Sequence, residues 1–127
     1  MRAASVVAGR FEIERLAGAG GMGSVYRARD RETARPVAVK VLKRSTDENA
    51  RRFERECRIL ARLAHPAIVE YLAHGETDGG DLFLAMEWLE GSSLSERLAQ
   101  RGLSVAESAA LGRRIAAALA FAHASGV

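Results

Sequence analysis

Three glycines and one lysine carry the clearest chemical signal in this sequence. Gly18, Gly20 and Gly23 have the spacing G-x-G-x-x-G, and Lys40 follows within an otherwise apolar run. A glycine-rich segment lets the backbone approach a phosphate chain closely, because no Cβ stands in the way. The chain has only two lysines, Lys40 and Lys43, so a lysine inside an apolar run is a candidate ligand for an anion rather than an incidental surface residue.

The residues after the third glycine decide between two kinds of glycine-rich site. A dinucleotide-binding site requires a helix to begin at the last glycine. Residues 24–29 instead alternate and include β-branched and aromatic side chains, which predicts a strand. The predicted order is strand, glycine loop, strand, polar turn and strand. A fragment of a dinucleotide-binding oxidoreductase remains an alternative that this order disfavours.

A glutamate on the following helix is the expected partner of Lys40. At 100° per residue, the helix that begins near Asp47 places its apolar side chains on one face, and Glu56 falls within that face. A charge that faces a core is costly unless an opposite charge meets it. We therefore expect Glu56 to pair with Lys40. The alternative is that Glu56 lies at the helix edge and stays solvated.

At these residues the sequence resembles a known family. The segment from Gly18 to Val25, followed by Val37-Ala38-Val39-Lys40, is similar to the glycine-rich loop and third-strand lysine of protein kinases. The sequence of this segment resembles that of the bacterial eukaryotic-like serine/threonine kinases in particular. The resemblance implies that Lys40 holds the α- and β-phosphates of ATP and that Glu56 positions Lys40. These two residues are the implied catalytic residues.

The resemblance also implies an adenine pocket. Met86 would be the gatekeeper at its back, and the Glu87 carbonyl and Leu89 amide would bond the adenine edge. Ala38 and Val25 would cover one face of the base, whereas Ala17 stands where the family often has a larger aliphatic residue. The implied nucleotide-binding residues are Ala17, Gly18, Ala19, Gly20, Gly21, Met22, Gly23, Val25, Ala38, Lys40, Met86, Glu87 and Leu89.

The expected fold is α+β and kinase-like. Residues 1–89 should form the N-lobe and hinge, with a five-stranded antiparallel sheet and one packed helix that ends at His65-Pro66. The predicted strands lie at 11–16, 24–29, 37–42, 67–74 and 81–89. Residues 90–127 should form the first two helices of an incomplete C-lobe. The S-x-x-E pairs Ser45/Glu48, Ser93/Glu96 and Ser104/Glu107 predict three helix starts, and Gly126 is expected to cap the last helix.

Composition bounds the remaining functions. The 127 residues carry a formal charge of +3, with acidic and basic residues interspersed, so we expect no nucleic-acid partner. The single Cys57 excludes an internal disulfide, and with no apolar run of membrane-spanning length we expect a cytoplasmic location. The histidines have no ligand-spaced partners, so we expect no metal cage.

The sequence stops before the motifs that complete a kinase. The resemblance places a His-Arg-Asp loop and an Asp-Phe-Gly motif after residue 127, and the latter holds Mg²⁺ in a full-length kinase. We therefore expect ATP and protein substrates as partners of the full-length protein, Mg²⁺ only there, and an inactive 127-residue chain. The exposed last helix should favour association. The alternative is a stand-alone, non-enzymatic nucleotide-binding or scaffolding lobe.

Overall fold

A single antiparallel sheet organises the chain. The computed structural model describes residues 1–20, 23–44 and 46–127. In this part of the chain the sheet has six strands in the order β1-β2-β3-β4-β6-β5. The strands are β1 (Val6–Val7), β2 (Phe11–Gly20), β3 (Gly23–Asp30), β4 (Pro36–Leu42), β5 (Tyr71–Glu76) and β6 (Leu82–Glu87).

One face of the sheet forms the hydrophobic core. Alternate residues of β-strands point to the same face, and the β-branched and aromatic side chains of these strands alternate accordingly. Phe11 and Phe83 meet edge to face, with ring centroids 6.2 Å apart. The buried cluster comprises Val7, Phe11, Ile13, Tyr26, Ala28, Val37, Val39, Phe83 and Ala85. The short strand β1 pairs with β2 and contributes Val7, which is 3% exposed, to this core.

The β2–β3 hairpin carries two irregularities. The pairing of β2 with β3 shifts register between Ile13 and Arg15 and again between Leu16 and Gly18. Such bulges bend a strand and change which side chains share a face. The hairpin closes with Gly20 paired to Gly23, and the two residues that join them lie outside the described residues.

Helix α1 (Asp47–Leu60) begins where the sequence predicts. Its N-cap is Thr46, whose hydroxyl accepts a hydrogen bond from the Asn49 amide at 3.1 Å. The predicted cap Ser45 lies outside the described residues. The helix ends at Leu60 and not at His65, because the amides of Arg62 and Leu63 bond carbonyls only three residues back. This tighter turn brings Leu63 into a buried position, 9% exposed.

Two further helices follow the sheet. Helix α2 (Leu94–Gln100) starts after Ser93, whose hydroxyl accepts from the Glu96 amide. Helix α3 (Val105–Ala124) starts with a complete capping box between Ser104 and Glu107. The helix ends at Ala124, and Gly126 caps it as predicted, with a φ of 89°. The amides of residues 126 and 127 bond the carbonyls of residues 123 and 122, which is the Schellman arrangement.

The expected α+β architecture is confirmed with two corrections. The sheet has six strands in the described part of the chain and not five, because it includes β1. This strand is only two residues long and therefore shows no periodic pattern in the sequence. The strand expected at 67–74 begins only at Tyr71, because the amide of Ile68 bonds the carbonyl of His65 in a turn.

Candidate functional site

The sheet face opposite the core brings the predicted site residues together in two neighbouring rows. Residues directly opposite each other in antiparallel strands point to the same face. The first row runs across four strands through Gly18, Val25, Lys40 and Leu84. The second row runs through Arg15, Arg27, Ala38 and Met86. Successive rows on one face are two residues apart, or about 7 Å.

This surface combines an apolar floor with one cation. Ala38 is buried, and Val25, Leu84 and Met86 are half-buried. Lys40 is half-buried among them and makes no ion pair within the described parts of the chain. An apolar floor suits a flat heterocycle, and an unpaired ammonium about one row away suits a phosphate. The arrangement fits a nucleotide with its base over Ala38 and its phosphates towards Lys40.

The glycines of the hairpin differ in what the backbone demands of them. Gly23 has a φ of +123°, and a Cβ there would lie 2.3 Å from the Val41 carbonyl oxygen, so this position requires glycine. A Cβ at Gly18 or Gly20 would meet nothing within 4 Å. The open space beside these two glycines is room that a phosphate chain can occupy. Ala17 and Ala19 are exposed in the same strand, whereas the predicted site residues Gly21 and Met22 lie outside the described residues.

The segment after β6 lies next to this floor. The Glu87 amide donates to the Glu70 carbonyl at 3.0 Å, and the Glu87 carboxylate accepts from the Glu70 amide at 2.9 Å. These two bonds fix the chain where it leaves the sheet. Leu89 follows with its side chain 64% exposed. Its amide makes no backbone hydrogen bond within residues 1–20, 23–44 and 46–127, so it is available to a ligand.

The expected ion pair between Lys40 and Glu56 is not formed in this structure. Glu56 is exposed and lines a cavity of about 1070 Å³ that also touches Gly20, Gly23 and Arg52. The helical wheel predicts that Glu56 lies within the apolar face of α1, and this prediction is wrong because Glu56 is exposed. The helix turns Cys57 inward instead, at 3% exposure, and the neighbouring Glu56 therefore lies outside the buried side of the helix.

Helix α1 packs on β5 through aromatic and sulfur side chains. The Phe53 and His74 rings meet edge to face at 6.4 Å, and the Tyr71 hydroxyl hydrogen-bonds His74 Nδ1 at 2.6 Å. Burial raises the pKa of the Cys57 thiol to about 11, with a smaller contribution from Glu56. Burial likewise raises the pKa of Tyr71. Cys57 is thus protonated at neutral pH, which makes it a packing residue rather than a nucleophile.

One cluster beside the floor could not be predicted from the sequence. The guanidinium carbons of Arg15 and Arg27 lie 5.5 Å and 5.6 Å from the centre of the Trp88 ring. Both distances are within the range of cation–π attraction. The signal was hidden, because strict alternation in β2 would place Arg15 on the core face with Ile13.

The element order excludes the dinucleotide alternative. The residues after Gly23 form β3 and not a helix, whereas a dinucleotide fold opens a helix at that point. A six-stranded antiparallel sheet with a glycine hairpin, a lysine on the next strand and one helix packed beside it defines the smaller lobe of a protein kinase domain.

Comparison with known proteins agrees with this class. The protein kinase domain family matches residues 11–127, and the chain belongs to that family. It is 42% identical over 123 residues to the serine/threonine-protein kinase PknD of Mycobacterium tuberculosis strain H37Rv, covering 94% of this chain and 18% of PknD. It is 34% identical over 125 residues to the serine/threonine-protein kinase pkn3 of Myxococcus xanthus, covering 95% of this chain and 23% of that relative.

Solved structures give the same result. The crystal structure of the Mycobacterium tuberculosis PknI kinase domain superimposes with a TM-score of 0.87 at 34% identity. That match covers 100% of this chain and 53% of the PknI chain. The chain therefore spans about half of a solved kinase domain and about a fifth of the curated relatives. Within the described residues no helix is long and apolar enough to span a membrane.

Proposed function

We propose that this chain is the ATP-binding part of a protein serine/threonine kinase. In the full-length protein it would help transfer the γ-phosphate of ATP to serine or threonine of protein substrates. The observation that carries the proposal is the shared face of Gly18, Val25, Ala38 and Lys40, with Met86 at its far end. Membership of the kinase family and the names of the relatives support it.

Each part of the face would serve one part of the nucleotide. Ala38, Val25 and Met86 would hold the adenine, and the Glu87 carbonyl and the Leu89 amide would bond its edge. The backbone at Gly18 and Gly20 would lie along the phosphates, and Lys40 would neutralise their charge. ATP bound with Mg²⁺ supplies the phosphoryl group in this family. By resemblance to the family, Mg²⁺ would be held by the Asp-Phe-Gly motif of the full-length kinase.

Glu56 keeps a proposed role that needs a movement of α1. Its carboxylate would reach Lys40 only if the helix turned towards the sheet. We infer that the full-length protein stabilises this turned position. In the 127-residue chain Lys40 would act without its carboxylate partner, so we expect weak ATP binding, roughly millimolar (about −4 kcal/mol), and no phosphoryl transfer.

One side of α3 carries apolar side chains that the described residues leave partly exposed. Ile115 is 46% exposed and Leu119 is 51% exposed. Since the PknI domain is about twice as long as this chain, we infer that further helices of a kinase domain cover these side chains in the full-length protein. The alternative is a stand-alone scaffolding lobe, which would remain folded and monodisperse without such a cover.

Labelling with an acyl-phosphate derivative of ATP tests the proposed site directly. Such a probe transfers its acyl group to a lysine that lies beside the phosphates. The chain offers only Lys40 and the exposed Lys43, so mass spectrometry of the labelled peptide gives a clear result. We expect label on Lys40, suppressed by excess ATP. Equal, ATP-insensitive labelling of both lysines would contradict the proposal.

The matched variants Lys40→Met and Lys43→Met extend the test to affinity. Lys40→Met should weaken ATP binding about tenfold, which corresponds to about 1.4 kcal/mol, and should abolish transfer in the full-length protein. Lys43→Met removes the same charge three residues away and should change neither. Wild-type affinity and transfer in Lys40→Met would show that Lys40 does not bind the phosphates.

A further inference from the structure

We propose that Trp88, Arg15 and Arg27 form a positioning cluster. The cluster fixes the distance between the β2–β3 hairpin and the segment with Leu89 that is proposed to bind adenine. This inference rests on the proposed function, because it concerns how the same face holds its nucleotide. The observation that carries it is the convergence of two cross-strand arginines on the single tryptophan of the chain.

Contacts at both ends hold the cluster. The Trp88 indole nitrogen donates to Glu90 Oε1 at 2.9 Å, which fixes the ring relative to its own segment. On the strand side, Arg27 forms an ion pair with Glu14. The indole therefore lies half-buried between a carboxylate of its own segment and two guanidinium groups of the hairpin.

A β-bulge creates the cluster. Ile13 is 1% exposed on the core face, and strict alternation would place Arg15 on that face two residues later. The register shift after Ile13 pairs Arg15 directly with Arg27 instead. The bulge thus moves Arg15 to the opposite face, where Ala38 and Met86 lie in the same row. Bulges near functional sites commonly redirect a side chain in this way.

Pairing with β3 joins the outer half of β2 to the sheet, and the cluster is its contact with the segment after β6. Residues 14–20 of β2 are all exposed, so core packing does not hold them. Trp88 follows Glu87 at the end of β6 and directly precedes Leu89. Two cation–π contacts therefore connect the hairpin to the segment whose amide would bond adenine. Loss of the ring should let the hairpin and this segment move apart, which weakens the binding of the base more than that of the phosphates.

The variants separate the ring from the charges. Trp88→Leu removes the ring without altering charge, and Trp88→Phe restores an aromatic face. The double variant Arg15→Gln/Arg27→Gln removes both cations. Arg29→Gln is the matched control. Arg29 is an exposed arginine of β3, the strand that also carries Arg27, and it does not contact Trp88 in the described structure. Circular dichroism on each variant verifies that it remains folded.

The experiment is an NMR titration of the 127-residue chain with ATP, adenosine and inorganic tripolyphosphate, followed at the methyl groups of Val25 and Ala38. Trp88→Leu should weaken ATP and adenosine binding about three- to tenfold and weaken tripolyphosphate binding clearly less. Trp88→Phe should recover most of the loss, and Arg29→Gln should match the wild type. The arginine double variant should weaken adenosine binding as Trp88→Leu does.

The outcomes distinguish this inference from the proposed function. No saturable binding of any probe to the wild type would overturn the proposed function, and with it the ligand assigned to the cluster. Wild-type binding of ATP with unchanged affinity in Trp88→Leu would overturn the positioning role alone. Equal weakening of ATP and tripolyphosphate in Trp88→Leu would also overturn it, because the cluster lies in the row of Ala38 and Met86 and should affect the base more than the phosphates beside Gly18.

Discussion

Gly23 is the residue of the hairpin at which the fold itself demands glycine. Its φ of +123° is strained for any other residue, and the Val41 carbonyl oxygen occupies the space of a Cβ. Gly20, its partner across the hairpin, has open space instead. The three glycines of the motif therefore divide between folding and a proposed role in binding, although their spacing in the sequence treats them alike.

Gly23→Ala and Gly20→Ala make a matched pair for this distinction. Gly23→Ala should lower the free energy of unfolding by about 2–4 kcal/mol, because the strain and the clash with β4 add. Gly20→Ala should change it by less than about 1 kcal/mol, yet weaken ATP binding because its Cβ enters the space proposed for phosphate. Urea unfolding and an ATP titration measure the two effects. Equal stabilities for the two variants would refute the division.

The position of Glu56 shows what a helical wheel cannot determine. The wheel defines which residues share a side of α1, but the rotation of the helix about its axis depends on its neighbours. Cys57, Phe53 and the rings of β5 set that rotation. Glu56 is therefore solvated in this structure, although its type and spacing are those that the resemblance requires. A pairing that depends on helix rotation is a property of packing and lies beyond sequence periodicity.

Among the secondary-structure elements, the start of β2 and the end of β3 are joined by a buried ion pair. Arg10 donates to both carboxylate oxygens of Asp30, at 2.9 Å and 2.8 Å. Asp30 is only 1% exposed, and it also accepts from the Glu32 amide at 2.9 Å. Hydrogen bonding to Arg10 lowers the pKa of Asp30 from 3.8 to about 2. The pair ties the turn after β3 to the segment that carries β1.

This pair should make stability fall in acid. The pKa of Asp30 is lower in the folded than in the unfolded state, so its contribution is complete above pH 3.8 and is lost as the pH falls towards 2. The contribution should be about 1–2 kcal/mol. Asp30→Asn should lower the free energy of unfolding at pH 7 by about 2–4 kcal/mol, because Arg10 loses its buried charge partner and keeps only the exposed Glu32 carboxylate, at 3.3 Å.

Urea unfolding at a series of pH values measures this contribution. The difference between the wild type and Asp30→Asn should shrink between pH 4 and pH 2, because the wild-type carboxylate becomes protonated there. Asp78→Asn is the control, since Asp78 is exposed and makes no ion pair in the described part of the chain. A difference that stays constant down to pH 2 would show that charge does not stabilise this contact.

Helix starts could be predicted from the sequence better than strand irregularities. Ser93 and Ser104 act as caps as expected, because capping depends on a few consecutive residues and their own backbone. The bulge before Arg15 depends on the pairing of two strands and leaves no local signature. It also decides which face carries Arg15, so the cluster around Trp88 could not be found from the pattern of alternation.

For the whole molecule, the order of most strands and helices could be predicted from the sequence. The residues that would pack against the apolar side of α3 could not. Alternation and glycine spacing were enough to predict most of the sheet, because short turns join β2 to β3, β3 to β4 and β5 to β6. Leu111, Ile115 and Leu119 of α3 lie along one side of the helix, where they line a groove, but the sequence does not state what packs against them. In the structure a groove of about 490 Å³ runs between α3 and the residues before β5, and its walls are largely apolar side chains.

The uncovered side of α3 should make the 127-residue chain associate with itself. Ile115 and Leu119 lie four residues apart on that helix and are each about half exposed, and adjoining exposed apolar groups favour association. Ile115→Gln with Leu119→Gln should therefore shift sedimentation velocity profiles from oligomer to monomer at about 100 µM. Ala116→Gln with Ala120→Gln adds the same amides about 100° around the helix and should leave the oligomer intact. A wild-type chain that is monomeric at this concentration would instead favour the stand-alone lobe.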